Sequence, residues 1–595
     1  MGTRVSAVHP SGGVRQQAWS RTHVAALAAT VLVLVAVNAW WIARYRGGGP
    51  LDIDEAGYLS TAVDHLGAGG PGGVWRVFQA HAPSAPLVPL AAAGVLALLG
   101  ANVYLGFSVL IFALAVTVAC SYALARRLSG PAAGAVAAVV VAGTPALLDY
   151  TRTFQFAVPV TAFFTAAVLC LVMSRSLQGV GWSLAWGGLI GLMLLSRTMT
   201  VAFLPGLIAA GLLVATRSPR PVRSIANLAG GLAMIAAVSG TWYLGNWQAV
   251  FFYLTTAGYG AQSSQYGSGT PFSPDALVEF LHRTMNEYLY LPLGLVFLGG
   301  VLAGGALTVI RLLRRSESMT AKLGWFLDQD HVPVAIPPAA GLLALVSSRN
   351  AGTGFIAPLL PAAVVLAVVA LAKLPWLQIR RWALTGAVAI GVFGIAAKSG
   401  LPPFDGAATT VQVPFYGYAV IADPAGPIQL YEQGGGFGDA GLSRPTEDAA
   451  WRRQERQLAL TLASFSQGTG APTVCAFGFR DRFFNPNTLG LEADLATGAR
   501  TPALWLEPLG DGSTVADVHL WLVAGAAKGS TALLTAGPSR SEIPPAVDEG
   551  VVEEAARAAG FFRVTTTSLP NGRQLTLWRR TTPPTSNPYP IVPNS

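Results

Sequence analysis

The first two thirds of the chain alternates long apolar runs with short segments that carry arginine and lysine. A helix needs about 20 apolar residues to cross the hydrocarbon core of a bilayer. The first run, residues 23–43, meets this length and has no small-residue cleavage site, so a retained membrane helix is expected rather than a signal peptide. The run 86–99 is shorter and contains Pro89, which predicts an interfacial or re-entrant helix.

The later apolar runs complete a prediction of about eleven membrane helices. They cover residues 103–125, 131–149, 155–174, 182–196, 199–216, 225–245, 289–310, 331–347, 353–372 and 382–397. The clusters of arginine and lysine between them then fall on one side, which the positive-inside rule places in the cytoplasm. The N-terminus is expected on that side, and the loops 44–85 and 246–288 on the outer side. The first 399 residues are therefore predicted to form a polytopic α-helical domain in the plasma membrane, with juxtamembrane helices.

From residue 400 onward no apolar run reaches membrane length. Helical patterns at 446–464 and 547–559 alternate with β patterns, which predicts an extracytoplasmic α/β domain over 400–595. The predicted strands are 473–479, 518–524, 531–535, 562–568 and 574–579, the last two joined by a turn at Asn571-Gly572. The Pro- and Ser-rich tail after Thr581 is expected to be mobile.

Composition supports the membrane class and excludes others. Of the 595 residues, 52% are hydrophobic and only 11% are charged. The net charge of +9 arises mainly from basic loops between apolar runs, so nucleic-acid binding is not expected. The three cysteines show neither disulfide nor metal spacing. The stretch 436–441 matches G-x-G-x-x-G, but its predicted location outside the cytoplasm argues against a nucleotide site. High Ala, Gly and Arg usage is typical of a bacterium.

Three carboxylates stand in four residues directly after the first apolar run: Asp52, Asp54 and Glu55. A partly desolvated carboxylate at a membrane surface can act as general base on a hydroxyl. Asp52 and Asp54 could also hold a divalent cation, so the metal question stays open. The structural alternative is that Asp52 or Asp54 caps a helix beginning at Glu55, which accounts for one acid but not for all three.

The Asp54-Glu55-x-x-Tyr58 motif in the first outer loop resembles the GT-C glycosyltransferases, in particular the protein O-mannosyltransferase and aminoarabinose transferase group (families 39 and 83). Weaker similarities to that group cover residues 23–375. They are His81–Leu87, Leu124–Gly130, Tyr150-Thr151-Arg152 and Leu195–Thr198. Two positions depart from the group's pattern. No acid follows Tyr150-Thr151-Arg152 within 155–158, and Arg197 stands where the group often has lysine.

The resemblance implies an enzyme that moves a sugar from a polyprenyl phosphate to an acceptor outside the membrane, with inversion. Asp54 would be the base, Glu55 would support the site, and Tyr58 would line it. Arg152 and Arg197 would bind the lipid phosphate, since arginine holds phosphate bidentately, although both could instead extend to the membrane interface. His81 would contact phosphate or acceptor. No cofactor is firmly implied. The acceptor could be a lipid, a polysaccharide or a protein of the cell envelope.

Two other functions compete with this interpretation. A secondary transporter or lipid flippase should place ionisable residues near the bilayer midplane, whereas here the acids cluster at one outer boundary. A non-catalytic envelope scaffold would use its outer domain to bind glycan. It would need no binding site for a lipid phosphate beside Asp54.

Overall fold

A computed structural model describes sixteen segments of the chain. They are residues 21–46, 49–66, 70–80, 84–100, 102–260, 270–348, 354–404, 409–413, 416–421, 445–465, 473–497, 504–509, 514–539, 542–543, 546–570 and 572–580. The predicted mobile tail, the glycine-rich stretch 436–441 and His81 lie outside these segments.

The first helix is followed by three short ones. They are α1 (Arg21–Tyr45), α2 (Ile53–His65), α3 (Gly70–Gln79) and α4 (Leu87–Leu99). The helix α4 has 13 residues, and at 1.5 Å per residue it is shorter than a hydrocarbon core of about 30 Å. The predicted short run therefore forms a helix that is too short to span. The acid cluster lies at the start of α2.

Six more helices follow, with 3₁₀ turns Val103–Phe107 and Thr198–Phe203 before two of them. They are α5 (Ser108–Ser129), α6 (Pro131–Ala142), α7 (Pro145–Thr151), α8 (Ala157–Met173), α9 (Val180–Ser196) and α10 (Leu204–Thr216). The prediction of one helix over 131–149 was wrong, because α6 and α7 meet at a 57° bend. Pro145 begins α7, and proline disfavours helical backbone in the residue before it.

Seven helices complete the membrane part. They are α11 (Pro221–Gly258), α12 (Pro274–Arg283), α13 (Tyr290–Leu313), α14 (Met319–Leu327), α15 (Val332–Val346), α16 (Leu360–Ala372) and α17 (Leu377–Lys398). A π-helical turn, Thr284–Leu289, connects α12 to α13. The predicted loop 246–288 begins instead as helix, since α11 continues to Gly258. Ser273 caps α12, since its hydroxyl accepts a hydrogen bond from the Ala276 backbone N–H at 3.2 Å.

Six described helices are long and apolar enough to span a membrane, or seven if the bent pair α6–α7 is one span. Five shorter apolar helices accompany them: α4, α8, α9, α15 and α16 with its 3₁₀ turn. This is the helix content of a multi-pass membrane protein. The count of eleven spans stays a prediction.

The C-terminal part begins with a hairpin, β1 (Thr409–Val413) and β2 (Tyr416–Ile421), and continues with an α/β unit. Its elements are α18 (Pro445–Ser464), β3 (Thr473–Phe477), α19 (Pro486–Thr497), β4 (Leu504–Pro508), α20 (Val515–Val523), β5 (Ala532–Ala536), α21 (Glu549–Ala558), β6 (Phe562–Ser568) and β7 (Gln574–Arg579). The sheet order is β4-β3-β5-β7-β6. The strands β4, β3 and β5 are parallel, and β7 pairs antiparallel with β5 and β6.

The alternation of helix and strand and the final hairpin are confirmed, but the strand predicted at 518–524 is a helix, α20. The Thr514 hydroxyl and the Asp517 carboxylate form a capping box that starts this helix. Val518 and Leu522, four residues apart, are the buried side chains on its inner face. Residues 504–508, for which no strand was expected, form β4.

Gly391 lies where α17 packs closely against α6. A Cβ atom at Gly391 would lie 2.8 Å from the Val139 carbonyl oxygen, which is fixed in its helix. We expect Gly391→Leu to destabilise the protein by about 1–3 kcal/mol, as overpacking does. Gly386→Leu on the same helix is the matched control, because nothing lies within 4 Å of its Cβ position. Thermal unfolding in detergent measures both. Equal unfolding midpoints would contradict this account of the α6–α17 contact.

Candidate active site

The acid cluster begins α2 through a reciprocal cap. The Asp52 carboxylate accepts a hydrogen bond from the Asp54 backbone N–H at 3.0 Å. The Glu55 carboxylate in turn accepts one from the Asp52 backbone N–H at 3.1 Å. This capping box satisfies backbone donors that a helix start leaves unpaired. Of the two acids for which capping was considered, the structure assigns it to Asp52.

Glu55 is completely buried and serves three partners. Besides the Asp52 N–H, its carboxylate accepts hydrogen bonds from the Arg46 guanidinium at 2.6 Å and from the Phe154 backbone N–H at 2.7 Å. Arg46 directly follows α1, and Phe154 lies between α7 and α8. The Glu55 carboxylate therefore joins three parts of the fold, and this geometry suits a supporting residue.

Asp54 differs from both neighbouring acids because its side chain is exposed. Its carboxylate accepts no hydrogen bond from any residue in the described segments. Protein nevertheless crowds it closely enough that desolvation raises the pKa of Asp54, while the nearby Arg197 and Arg482 guanidinium groups lower it. Asp54 is thus an accessible carboxylate whose pKa is raised by desolvation, and two arginines oppose this increase.

Arg197 lies at the junction between α9 and the following 3₁₀ turn. Its guanidinium stacks over the Phe355 ring, 4.1 Å from the ring centroid, and its charge acts on both Asp54 and Tyr58. Stacking on an aromatic ring orients a guanidinium. The structure therefore brings Arg197 to the acid cluster.

Tyr58 follows Asp54 by one helical turn, so the two side chains share a face of α2. Its ring packs on Phe156 with centroids 4.1 Å apart. Burial raises the pKa of the Tyr58 hydroxyl, and Asp54 raises it further. The Tyr58 side chain accordingly lines the site beside Asp54, with a neutral hydroxyl that can form hydrogen bonds.

Arg152 lies in a different cluster. It is fully buried, and its three guanidinium nitrogens donate to the Asn38 side chain at 2.9 Å, the Lys398 carbonyl at 2.7 Å and the Ser399 hydroxyl at 2.7 Å. The guanidinium also lies over the Trp41 ring. This arrangement braces α1 against the end of α17. Phosphate binding by Arg152 stays a prediction that these contacts do not favour.

The structure adds one residue that sequence reasoning missed, Arg482. It lies between β3 and α19, and its Nε atom is 3.3 Å from an Asp52 carboxylate oxygen. Burial is the main cause that raises the pKa of Asp52, Asp54 raises it further, and the Arg482 charge opposes both. The only sequence signal was an Arg-Asp-Arg triplet among phenylalanines at 479–484, far from the motif.

Arg482 reaches the acids because the C-terminal unit docks on α2. The Asn487 side-chain amide donates to the Ile53 carbonyl at 2.9 Å, and the Ser60 hydroxyl donates to Asp494 at 3.1 Å. Gly57 lets the two helices approach, since a Cβ atom there would lie 3.0 Å from the Asn487 amide nitrogen. The site is therefore built from both parts of the chain.

A metal site is not evident within the described segments, where no group of three or more His, Cys, Asp or Glu could hold an ion. Asp52 and Asp54 were the metal candidates. Asp52 already contacts Arg482 and the Asp54 N–H, which leaves Asp54 as the accessible oxygen donor of the pair. His81, which was predicted to contact phosphate or acceptor, lies outside the described residues.

In the comparison with known proteins, one family model matches part of the sequence, and solved structures match the fold. Residues 81–243 match the family model described as dolichyl-phosphate-mannose-protein mannosyltransferase. Two structures of ArnT from Cupriavidus metallidurans, apo and bound to undecaprenyl phosphate, superpose with TM-scores of 0.56 and 0.54 at 13% identity. Each alignment covers 93% of this chain and 97% of ArnT.

The chain has the GT-C fold. No curated protein sequence matched it. Within this GT-C chain, the stretch that matches the mannosyltransferase family contains Arg152 and Arg197, but it begins after the acid cluster and ends before Arg482. The similarity therefore covers the membrane side of the site, whereas the assembly of Asp54 with Arg482 rests on the geometry of this chain.

Glu55→Ala should destabilise the protein strongly, because it removes the carboxylate that faces Arg46, a residue only 3% exposed. Breaking such a buried pair from one side costs roughly 3–5 kcal/mol. Asp64→Ala, an exposed acid on the same helix, is the matched control and should leave stability near that of the parent. Chemical or thermal unfolding in detergent measures the difference. If both variants unfold like the parent, Glu55 does not anchor α2.

Proposed function

We propose that this GT-C chain is a membrane-bound glycosyltransferase that moves a sugar from a polyprenyl-phosphate donor to an acceptor hydroxyl. The transfer takes place on the outer face of the plasma membrane and inverts the configuration at the anomeric carbon. The observation that carries this proposal is the division of roles among the acids. Asp52 and Glu55 are engaged in the cap and in ion pairs, while Asp54 presents an accessible carboxylate between Arg197 and Arg482.

The proposed reaction is a single displacement at the anomeric carbon. The Asp54 carboxylate accepts the proton of the acceptor hydroxyl as its oxygen attacks the sugar from the face opposite the phosphate. The new glycosidic C–O bond forms as the bond from the anomeric carbon to the phosphate oxygen breaks. Polyprenyl phosphate departs with the electron pair. Phosphate is a good leaving group, so this displacement needs a base but no carboxylic acid to protonate the phosphate.

Arg197 is the strongest candidate for the donor phosphate. Its guanidinium is oriented by the Phe355 ring and acts electrostatically on Asp54, and arginine holds phosphate oxygens bidentately. Arg482 adds a second positive charge from the C-terminal unit. The similarity to ArnT with bound undecaprenyl phosphate supports a lipid phosphate as the ligand class. The acceptor class stays open among lipid, polysaccharide and protein.

Asp54→Asn removes the base but preserves the shape of the side chain. We expect the transfer rate to fall by about 10²–10⁴-fold, the usual contribution of a general base, with unchanged thermal stability. Purified protein is incubated with a panel of polyprenyl-phosphate sugars and a membrane extract as acceptor, and loss of sugar from each donor is scored. Asp64→Asn on the same helix is the control. Full activity of Asp54→Asn would rule out its role as base. Donor translocation without transfer would favour the flippase.

Arg482→Gln should alter the pH dependence of transfer. The Arg482 charge lowers the pKa of Asp54, so its removal raises that pKa, and the base then becomes protonated at a higher pH. We expect the acid limb of the kcat–pH profile to move to higher pH, while Arg482→Lys, which keeps the charge, stays close to the parent. Profiles are measured on the best donor of the panel. An acid limb that does not move in Arg482→Gln would remove Arg482 from the site.

A further inference from the structure

A cavity of about 650 Å³ opens between α12, α13, α15 and α16 and plays no part in the proposed chemistry. Its wall is apolar along almost its whole length. The Thr284 and Thr308 hydroxyls that reach it already donate to carbonyl groups of their own helical segments, at 2.7 Å and 2.8 Å. Charge appears only where Arg311, His331 and Lys373 line the wall.

These basic residues gather at one end of the cavity. Arg311 lies in the last turn of α13, Lys373 directly follows α16, and His331 directly precedes α15. Tyr290, at the start of α13, is separated from Arg311 by about 30 Å at 1.5 Å per residue. Arg197 stacks on Phe355, which precedes the opposite end of α16. The basic end is thus far from the candidate active site.

Two cationic side chains at this end, Arg311 and Lys373, are accessible to a ligand, and the charge of the nearby Asp330 acts on Lys373. Within the described segments, the side chains of Arg311 and Lys373 form no hydrogen bond and have no carboxylate within 4 Å, and both are exposed. The short helix α14 flanks them. Its Phe326 ring meets the His331 ring edge-on at 6.3 Å, and Asp328 after it pairs with Arg217 at 2.6 Å. The basic end of the cavity therefore lies beside α14, a helix that the Asp328–Arg217 ion pair holds in place.

We propose that this cavity binds one anionic phospholipid, with its phosphate at Arg311 and Lys373 and an acyl chain along the apolar wall. The charge pattern carries the inference, because the cavity has one cationic end and an apolar body, which is the complement of a lipid with an anionic head. A free phosphate would leave the apolar wall uncovered. The occupant comes from the membrane leaflet on the α14 side and is independent of the proposed sugar transfer.

Two glycines of α13, Gly299 and Gly305, allow the occupancy to be tested without disturbing helix packing. Gly305 lines the cavity, and nothing lies within 4 Å of its Cβ position, so Gly305→Leu fills the proposed acyl-chain path. Gly299 on the same helix is equally open but does not line the cavity, which makes Gly299→Leu the matched control. For the charged end, Arg311→Gln/Lys373→Gln is compared with Arg314→Gln, an exposed arginine outside the wall.

Native mass spectrometry of the full chain in detergent, titrated with phosphatidylglycerol or phosphatidylcholine, measures the bound lipid. We expect one tightly bound phosphatidylglycerol and no equivalent phosphatidylcholine. The double charge variant should bind it roughly thirtyfold more weakly, since each cation near a lipid head contributes about a factor of five. Gly305→Leu should also lose it, while Gly299→Leu and Arg314→Gln retain it. Thermal unfolding confirms that each variant is folded.

Equal binding of both phospholipids, or unchanged binding in Gly305→Leu and the charge variant, would overturn the proposal. Competition by inorganic phosphate would show an ion site rather than a lipid site. Displacement by undecaprenyl phosphate, with the same sensitivity to the variants, would assign the cavity to a polyprenyl lipid and reject the phospholipid. Because the measurement is bound lipid, none of these results depends on whether the chain transfers sugar.

Discussion

The buried carboxylate of Glu55 is the interaction on which the candidate site depends. A carboxylate without contact to water is tolerated only when ion pairs and hydrogen bonds replace its hydration. Glu55 obtains them from Arg46, from the Asp52 N–H and from the Phe154 N–H. Two of these groups, Arg46 and the Phe154 N–H, lie outside α2 and its cap, so meeting the needs of one buried charge fixes the position of α2. Asp54 then faces outward as a geometric result, because adjacent residues on a helix point about 100° apart.

The same helix is held from the other side by the C-terminal unit. Asn487, Asp494 and Arg482 contact its backbone, its Ser60 hydroxyl and its capping acid, respectively. The exposed Asp54 is therefore influenced by one arginine from the helical part of the chain, Arg197, and by one from the C-terminal α/β unit, Arg482. Neither arginine would suffice to identify the site alone, since single surface cations are common in membrane proteins. Their joint effect on one accessible acid is the distinguishing feature.

The membrane helices and the acid cluster were predictable because both leave local signals. Apolar runs of membrane length need no tertiary information, and the sequence offered Asp52 as one of two possible helix caps. Local signals were overlooked at two places, since Pro145 begins α7 at the α6–α7 bend and the Thr514–Asp517 capping box begins the helix at 515–523. The extension of α11 to Gly258 falls in residues that were predicted as a loop. Arg482 was missed because its partner Asp52 is distant in the chain. Arg152 was assigned to phosphate by its motif, whereas its surroundings are a buried brace.

The contacts between α2 and α19 join residues 434 positions apart, as in the pairs Ser60–Asp494 and Ile53–Asn487. During biosynthesis the helix that carries Asp54 is made near the beginning, and the segment that completes its surroundings is made near the end. A nascent chain therefore contains the acid long before it contains Arg482. Contacts of such sequence separation form late, because the intervening chain must first be ordered. The site consequently gains its full geometry only after the chain has been synthesised as far as α19, so shorter nascent chains lack it.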